Sequence, residues 1–308
     1  MASNRHSTNS RRIDERDDYR FDITRSPAVQ RDLGAGEDKV RIEAPGVAQI
    51  RITFTGAEVG NGNPRDSNTL ANQDGGLAVR VQAENAAGVP VGPVSRFDDE
   101  GIEFKAKGDT LFDVRDLVSG ASRGLFDEVI LGTNGDDKLG DDNHDDDRRG
   151  DGKEYDDDDR RDDGDDPESY YINGGMGNDR IYGGYLNDFL VGGAGNDRLF
   201  GRQGDDTLLG GLGDDRLNGG RGNDTLVGGL GTDRFIFTGV AGNDQILDFA
   251  SRTDKIDLSA YGITAANVTS SAAGTNTVLA IDSNRDGIAD FQIMLIGVGA
   301  PLATDYIF

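Results

Sequence analysis

From Gly174 to Ile236 a nine-residue unit recurs seven times in one phase without a gap. The units read GGMGNDRIY, GGYLNDFLV, GGAGNDRLF, GRQGDDTLL, GGLGDDRLN, GGRGNDTLV and GGLGTDRFI. The sixth place is always aspartate: Asp179, Asp188, Asp197, Asp206, Asp215, Asp224 and Asp233. The eighth is always large and apolar: Ile181, Leu190, Leu199, Leu208, Leu217, Leu226 and Phe235. A fixed period of this kind makes each unit one local structure that buries its apolar side chain only by stacking on its neighbours. Glycines at the first, second and fourth places admit turns through positive φ. The three residues after the aspartate form a strand whose middle side chain is apolar, so the spacing predicts one inward face, with the outer pair facing away. Two units close one coil with a strand on each side, and successive coils stack as parallel strands about 4.8 Å apart.

Aspartates eighteen residues apart then stand one above another. One edge carries Asp179, Asp197, Asp215 and Asp233, the other Asp188, Asp206 and Asp224. Two unit charges about 4.8 Å apart repel by roughly 3.5 kcal/mol at an effective dielectric of 20. The clash repeats along both edges, so the stack calls for a cation between its rungs. Calcium, with bonds to oxygen of about 2.3 to 2.6 Å, fits oxygens separated by nearly twice that length. Loop carbonyls, those of Gly174, Gly192, Gly210 and Gly228 among them, complete the shell. Magnesium prefers a tighter octahedron and keeps its water, so it suits a backbone-lined slot less well. Leu186 stands where the second unit needs its fourth-place glycine, and Arg202 where the fourth needs its second-place glycine, so slots beside those loops are the weakest expectation. A purely stacking solenoid, in which Asp and Asn simply favour turns, would not hold aspartate to the sixth place.

The motif GGxGxDxUx resembles the RTX, or hemolysin-type, nonapeptide repeat. The resemblance implies an all-β chain built on a parallel β-roll, with calcium as its ligand. VILGTNGDDKLG, Val129 to Gly140, reads as the opening coil, with Asp137 at the sixth place and Leu139 at the eighth. Stacking then breaks over residues 141–169. From Asp141 to Glu168 there are sixteen acidic and five basic residues, a net charge of −11, which reads as a solvated, disordered insert. The roll resumes at YYING with Ile172 inward and runs through residues 170–236.

After Ile236 the phase is lost. DRFIFTGVAGNDQILDF and DKIDLSAYG resemble the C-terminal cap of serralysin-type secreted proteases, so residues 237–308 read as a β cap. An array needs such an atypical last unit to cover its open strand edge. Asp244, Asp248, Asp254 and Asp257 read either as further ligands or, preferably, as residues that keep the cap soluble. DSNRDGIAD, Asp282 to Asp290, opens like an EF-hand loop but holds Ile293 where that loop needs glutamate, so a hairpin turn is expected. The final Asp305, Tyr306, Ile307 and Phe308 resemble the uncleaved signal of type I exporter substrates, against the plain reading of a terminal strand.

Residues 1–20 are polar and without periodicity and read as a disordered arm. Residues 21–128 carry short alternating runs such as QIRITF, LAVRVQA and GIEFKA between turn clusters, which predicts a small all-β region, a sandwich or a lateral sheet. The net charge of −25 argues against nucleic acid and anionic membrane as partners and favours cations. No run of about 18 apolar residues is present to span a membrane, and there are no cysteines. The first twenty residues lack the apolar core of a signal peptide. His6 and His144 are the only histidines, which removes an HExxH zinc site and leaves a Ser-His-Asp triad without a base. No GxSxG elbow or Walker loop occurs, and no carboxylate pair stands out for glycoside hydrolysis. The sequence thus reads as a secreted, extracellular calcium-binding protein without catalytic residues, a surface, matrix or adhesion component with a polysaccharide or cell-surface ligand. The alternative is a secreted effector or hydrolase with its site in the N-terminal region.

Overall fold

A computed structural model describes residues 18–22, 38–43, 49–54, 79–84, 95–97, 102–106, 111–115, 122–132, 135–140 and 168–308. Residues 1–17 of the arm and 141–167 of the acidic insert lie outside these, as do His6 and His144. Eight strands precede the repeats: β1 (Asp18–Asp22), β2 (Asp38–Glu43), β3 (Gln49–Phe54), β4 (Val79–Glu84), β5 (Ser95–Phe97), β6 (Ile102–Ala106), β7 (Leu111–Arg115) and β8 (Ser122–Phe126). β9 (Glu128–Leu131) and β10 (Lys138–Gly140) form the opening coil. The repeats give β11 (Tyr170–Met176), β12 (Arg180–Tyr182), β13 (Phe189–Ala194), β14 (Arg198–Gln203), β15 (Thr207–Leu212), β16 (Arg216–Arg221), β17 (Thr225–Leu230) and β18 (Arg234–Ile236). Beyond them run β19 (Asn243–Ile246), β20 (Lys255–Asp257), β21 (Val268–Ala273), β22 (Asn276–Ile281), β23 (Phe291–Leu295) and β24 (Tyr306–Ile307).

The repeat strands alternate between two sheets, as a two-unit coil requires. One is the seven-stranded sheet β10-β12-β14-β16-β18-β20-β24, parallel throughout. The other is twelve-stranded, in the order β1-β2-β6-β9-β11-β13-β15-β17-β19-β23-β22-β21. Leu190 pairs with Leu208 and Leu208 with Leu226 in one sheet, and Ile181 with Leu199 and Leu199 with Leu217 in the other, each eighteen residues on. These eighth-place side chains, with Ile172 and Phe235, are fully buried between the sheets. β9 pairs with β11 and β10 with β12 in the same parallel sense, so the coil before the acidic insert is in register with the coil after it.

Both ends of the long sheet change sense. β6 runs antiparallel to β9 and carries β2 and β1 outward, so strands of the N-terminal region extend the roll's own sheet. β1 takes in Asp18, Tyr19 and Arg20, the end of the stretch read as an arm. At the other end β23, β22 and β21 form an antiparallel meander that ends the sheet at β21, with Ile281 opposite Phe291 across the expected hairpin. The remaining N-terminal strands form a five-stranded sheet, β5-β4-β3-β7-β8.

That small sheet corrects one expectation. The outer pair of each repeat strand was read as facing away from any core, yet the ninth-place Val191, Leu209 and Val227 are buried, as are Tyr171 and Phe189 at the seventh place. They share one apolar cluster with Ile50, Ile52, Val81, Phe112, Val114 and Phe126 of the five-stranded sheet. Tyr171 stacks on Phe189 with ring centroids 5.6 Å apart. The long sheet is therefore apolar on both faces, as a parallel sheet covered on both sides should be. On the seven-stranded sheet the seventh place is instead arginine: Arg180, Arg198, Arg216 and Arg234 stand in register.

Candidate metal centre

The aspartates form two ladders, along the edges expected. On one, Asp137 N donates to Asp179 Oδ1 at 2.8 Å, Asp179 N to Asp197 Oδ1 at 2.8 Å, Asp197 N to Asp215 Oδ1 at 2.8 Å and Asp215 N to Asp233 Oδ1 at 2.9 Å. On the other, Tyr170 N donates to Asp188 Oδ1 at 2.7 Å, Asp188 N to Asp206 Oδ1 at 2.8 Å and Asp206 N to Asp224 Oδ1 at 2.9 Å. One oxygen of each carboxylate is thus committed to the backbone of the preceding coil. The second is uncommitted at five of them: Oδ2 of Asp179, Asp197, Asp206, Asp215 and Asp224 is buried without a hydrogen bond, while Asp188 Oδ2 accepts from Gly184 N.

What faces that second oxygen is backbone. A methyl group built on Gly192 would strike both Asp197 Oδ2 and the carbonyl oxygen of Gly210. Gly174 stands in the same relation to Asp179 Oδ2 and the Gly192 carbonyl, and Gly210 to Asp215 Oδ2 and the Gly228 carbonyl. Gly132, Asp137 Oδ2 and the Gly174 carbonyl repeat it in the opening coil. On the second edge Gly201 lies against Asp206 Oδ2 and the Gly219 carbonyl. Each slot therefore joins a carboxylate oxygen to the first-place carbonyl of the next coil, which is why the first place admits only glycine. The slot expected between stacked carboxylates therefore also includes a first-place carbonyl, while each Oδ1 accepts one N–H and keeps a second lone pair.

Burial, more than mutual repulsion, sets the electrostatics. Desolvation pushes the carboxyls up: Asp206 to about 9, Asp215 to about 8, Asp179 and Asp233 to about 7, and Asp197 and Asp224 to about 6. Repulsion from neighbouring aspartates adds a smaller push, and the N–H donors pull the other way. A buried carboxylate with one bare oxygen is costly unless a charge compensates it. Hard oxygen donors from carboxylate and carbonyl are the donor set of calcium rather than of a soft metal. The residues therefore fit the ion. Among the described residues no group of three or more His, Cys, Asp or Glu side chains gathers as a metal cluster.

The family of RTX calcium-binding nonapeptide repeats matches this chain in four copies, over residues 171–184, 182–217, 200–235 and 209–246. Residues 171–246 are RTX calcium-binding repeats.

The chain is similar to several solved structures. The AlgE6R3 subunit of the Azotobacter vinelandii mannuronan C5-epimerase is 25% identical over 58% of this chain and 81% of that one, with a TM-score of 0.25. The AlgE6R2 subunit of the same epimerase is 29% identical over 42% and 88%, with a TM-score of 0.24. Extracellular lipase LipA from Serratia marcescens is 17% identical over 89% of this chain and 33% of the lipase, with a TM-score of 0.29. Comparison with curated proteins gives no match.

A second ladder on the RTX block went unread in the sequence. Asn196 N donates to Asn178 Oδ1 at 2.9 Å, Asp214 N to Asn196 Oδ1 at 2.7 Å and Thr232 N to Asp214 Oδ1 at 2.8 Å. Asp205, Asn187 and Asn223 do the same on the other edge. The signal was available: every fifth place is Asn, Asp or Thr.

The cap aspartates are also corrected. Asp244, Asp254 and Asp257 are buried, so they do not serve solubility. Asp244 Oδ1 accepts from Asp224 N and Asp254 Oδ1 from Asp233 N, which ends both ladders in protein. Asp248 accepts from Gly228 N and Gly229 N, and Asp257 pairs with Arg234. Asp282, Asn284, Asp286 and Asp290 bond among themselves and to their own exposed turn. Asp305 is fully buried and accepts from Ser251 Oγ, Arg252 N and Leu302 N, while β24 pairs with β20. Among the described residues no helix is long and apolar enough to cross a membrane.

Proposed function

We propose that the RTX block is a calcium-dependent folding unit of a secreted, extracellular protein. Asp137, Asp179, Asp197, Asp206 and Asp215 supply carboxylate oxygens, and Gly174, Gly192, Gly210, Gly219 and Gly228 supply carbonyls. Bound calcium supplies the positive charge that the buried carboxylates otherwise lack. The observation that carries the reading is the repeated bare Oδ2, buried beside a carbonyl in slot after slot. Where calcium is scarce, burying these charges opposes folding and leaves the chain in the unfolded form a type I exporter could pass. Where it is abundant, binding stabilises the roll by mass action, at the affinity of extracellular modules, about 10⁻⁴ to 10⁻³ M.

As to role, we read the protein as a surface or matrix component. The N-terminal sheet shares an apolar cluster with the outer face of the roll's long sheet, so calcium that orders the roll also orders that sheet. Its partner is then a polysaccharide or other cell-surface ligand. Circular dichroism of the whole chain during a calcium titration, with magnesium as control, tests the folding claim. β signal should appear with calcium and not with magnesium, and equal order in chelator would overturn it. A glycan array and a hydrolase panel run on the calcium-loaded chain test the role. Glycan binding without turnover is expected, and turnover would favour an enzyme.

A further inference from the structure

We propose that the edge carrying Asp188, Asp206 and Asp224 is interrupted: its rungs on the N-terminal side of Asp206 are closed by the chain's own N–H donors and by the Arg202 guanidinium, and take no calcium. The proposal rests on the calcium-binding reading and narrows it to particular slots.

The cause begins at Leu186. In the unit above it on the other edge, Gly193 and Gly195 sit at φ 109° and 138°, and in the next, Gly211 and Gly213 at 116° and 124°. These values belong to glycine, since a side chain there meets its own backbone. In the unit Gly183–Val191 neither the second nor the fourth residue takes positive φ. With leucine in the fourth place the glycine-only loop is closed to this unit, and its backbone follows a different path. The Gly184 N–H consequently turns inward and donates to Asp188 Oδ2 at 2.7 Å. At Asp179, Asp197, Asp206, Asp215 and Asp224 that oxygen is bare. The carboxylate of Asp188 is therefore satisfied at both oxygens, by Tyr170 N and Gly184 N.

The rung below is closed differently. Tyr170 occupies the ladder position where a carboxylate would stand, since its N–H is the one that meets Asp188 Oδ1. The first-place carbonyl of Gly183 accepts from the Arg202 guanidinium at 3.4 Å. Arg202 holds φ 76° at the second place of its unit, the conformation its neighbours reach with glycine, and so keeps that loop in shape. Its guanidinium also lies over the Tyr182 ring, 5.2 Å from the centroid. Arginine stays charged at every working pH, so this cation cannot dissociate as a metal does. A dication at the Gly183 carbonyl would have to displace this guanidinium, and one at Asp188 Oδ2 would have to displace the Gly184 N–H. Asp188 Oδ2 faces the Gly201 carbonyl just as Asp206 Oδ2 faces that of Gly219, so what separates the two slots is the Gly184 N–H, which fills Asp188 Oδ2 and has no counterpart at Asp206. The two departures from the repeat pattern thus act together, one closing each rung.

Native mass spectrometry of the calcium-loaded full chain counts bound ions. Asp206→Asn should remove one calcium, whereas Asp188→Asn should leave the count unchanged. Leu186→Gly combined with Arg202→Gly should restore the repeat pattern and add one. Loss of a calcium from Asp188→Asn, equal to that from Asp206→Asn, would overturn the proposal, as would a double variant that folds and adds none. Circular dichroism in calcium confirms that each variant is folded before counting. If the unaltered chain binds no calcium, the failure lies in the calcium reading itself.

Discussion

At Asp215 two requirements meet in one side chain. Its Oδ1 is needed by the Asp197 N–H, and burial around its bare Oδ2 pushes the carboxyl up to about 8. Such a group binds a proton more tightly in the folded chain than in the unfolded one, where the value is near 3.8. Between those values the folded state holds more protons, so stability falls as pH rises. For the metal-free chain, order should be greatest near pH 4 and be lost as the pH climbs through about 6 to about 9. Asp197 and Asp224 titrate at the lower end of that range and Asp206 at the upper. Calcium binding releases the same protons, so its midpoint should move to higher calcium as the pH falls. Circular dichroism in chelator and in calcium across this range checks both signs, and metal-free order that grows with pH would contradict them. Asp215→Asn keeps an Oδ1 acceptor but removes the charge. Its calcium midpoint should rise about tenfold, roughly 1.4 kcal/mol, while its metal-free form becomes no less ordered.

The repeat strand shows how far the sequence could be read and where it stopped. Periodicity alone placed the strands, the eighteen-residue register and the inward Leu199, Leu208 and Leu217, because each follows from a side chain meeting its own copy one coil away. It also marked all seven sixth-place aspartates, Asp188, Asp224 and Asp233 among them, as one set, although their second oxygens differ in what they meet. What it left open depends on contacts between segments with no common period. Whether Leu209 faces water or the five-stranded sheet is set by Ile52 and Phe112, far back in the chain. Whether Asp188 is bare is set by a neighbouring peptide's orientation, which a one-residue departure controls. Two substitutions separate the faces. Leu209→Ala should destabilise the calcium-loaded chain by about 2 to 5 kcal/mol in thermal or denaturant unfolding, since it opens a buried site. Arg198→Thr, between Arg180 and Arg216 on the other sheet, should instead be neutral or stabilising by a few tenths of a kcal/mol at low salt. A large loss at Arg198 would mean that the arginine row is held by something on that face.

The long sheet ties the molecule together. Its strands give inner residues, Leu190, Leu208 and Leu226, to the cluster that includes Leu279, Ile281, Phe291, Ile293 and Leu295 of the cap. They give outer residues, Phe189, Val191, Leu209 and Val227, to the cluster of the N-terminal sheet. Stacked repeats usually let each coil depend on its neighbours alone, so that an array frays from its ends. Here the roll is the shared wall of two cores, and opening it exposes both. Removing calcium should therefore unfold cap, roll and N-terminal sheet in one transition. Hydrogen exchange read by mass spectrometry on peptides from Gln49–Phe54, Leu111–Arg115 and Asn276–Leu295 measures this directly. All three should be protected in calcium and lose protection together on chelation, at the calcium concentration where the Asp179 and Asp197 amides open. Protection of Asn276–Leu295 that outlasts the roll would show that the cap stands alone. Its apolar face would then have to be satisfied by its own meander, contrary to a cluster that runs unbroken from Ile172 to Leu295.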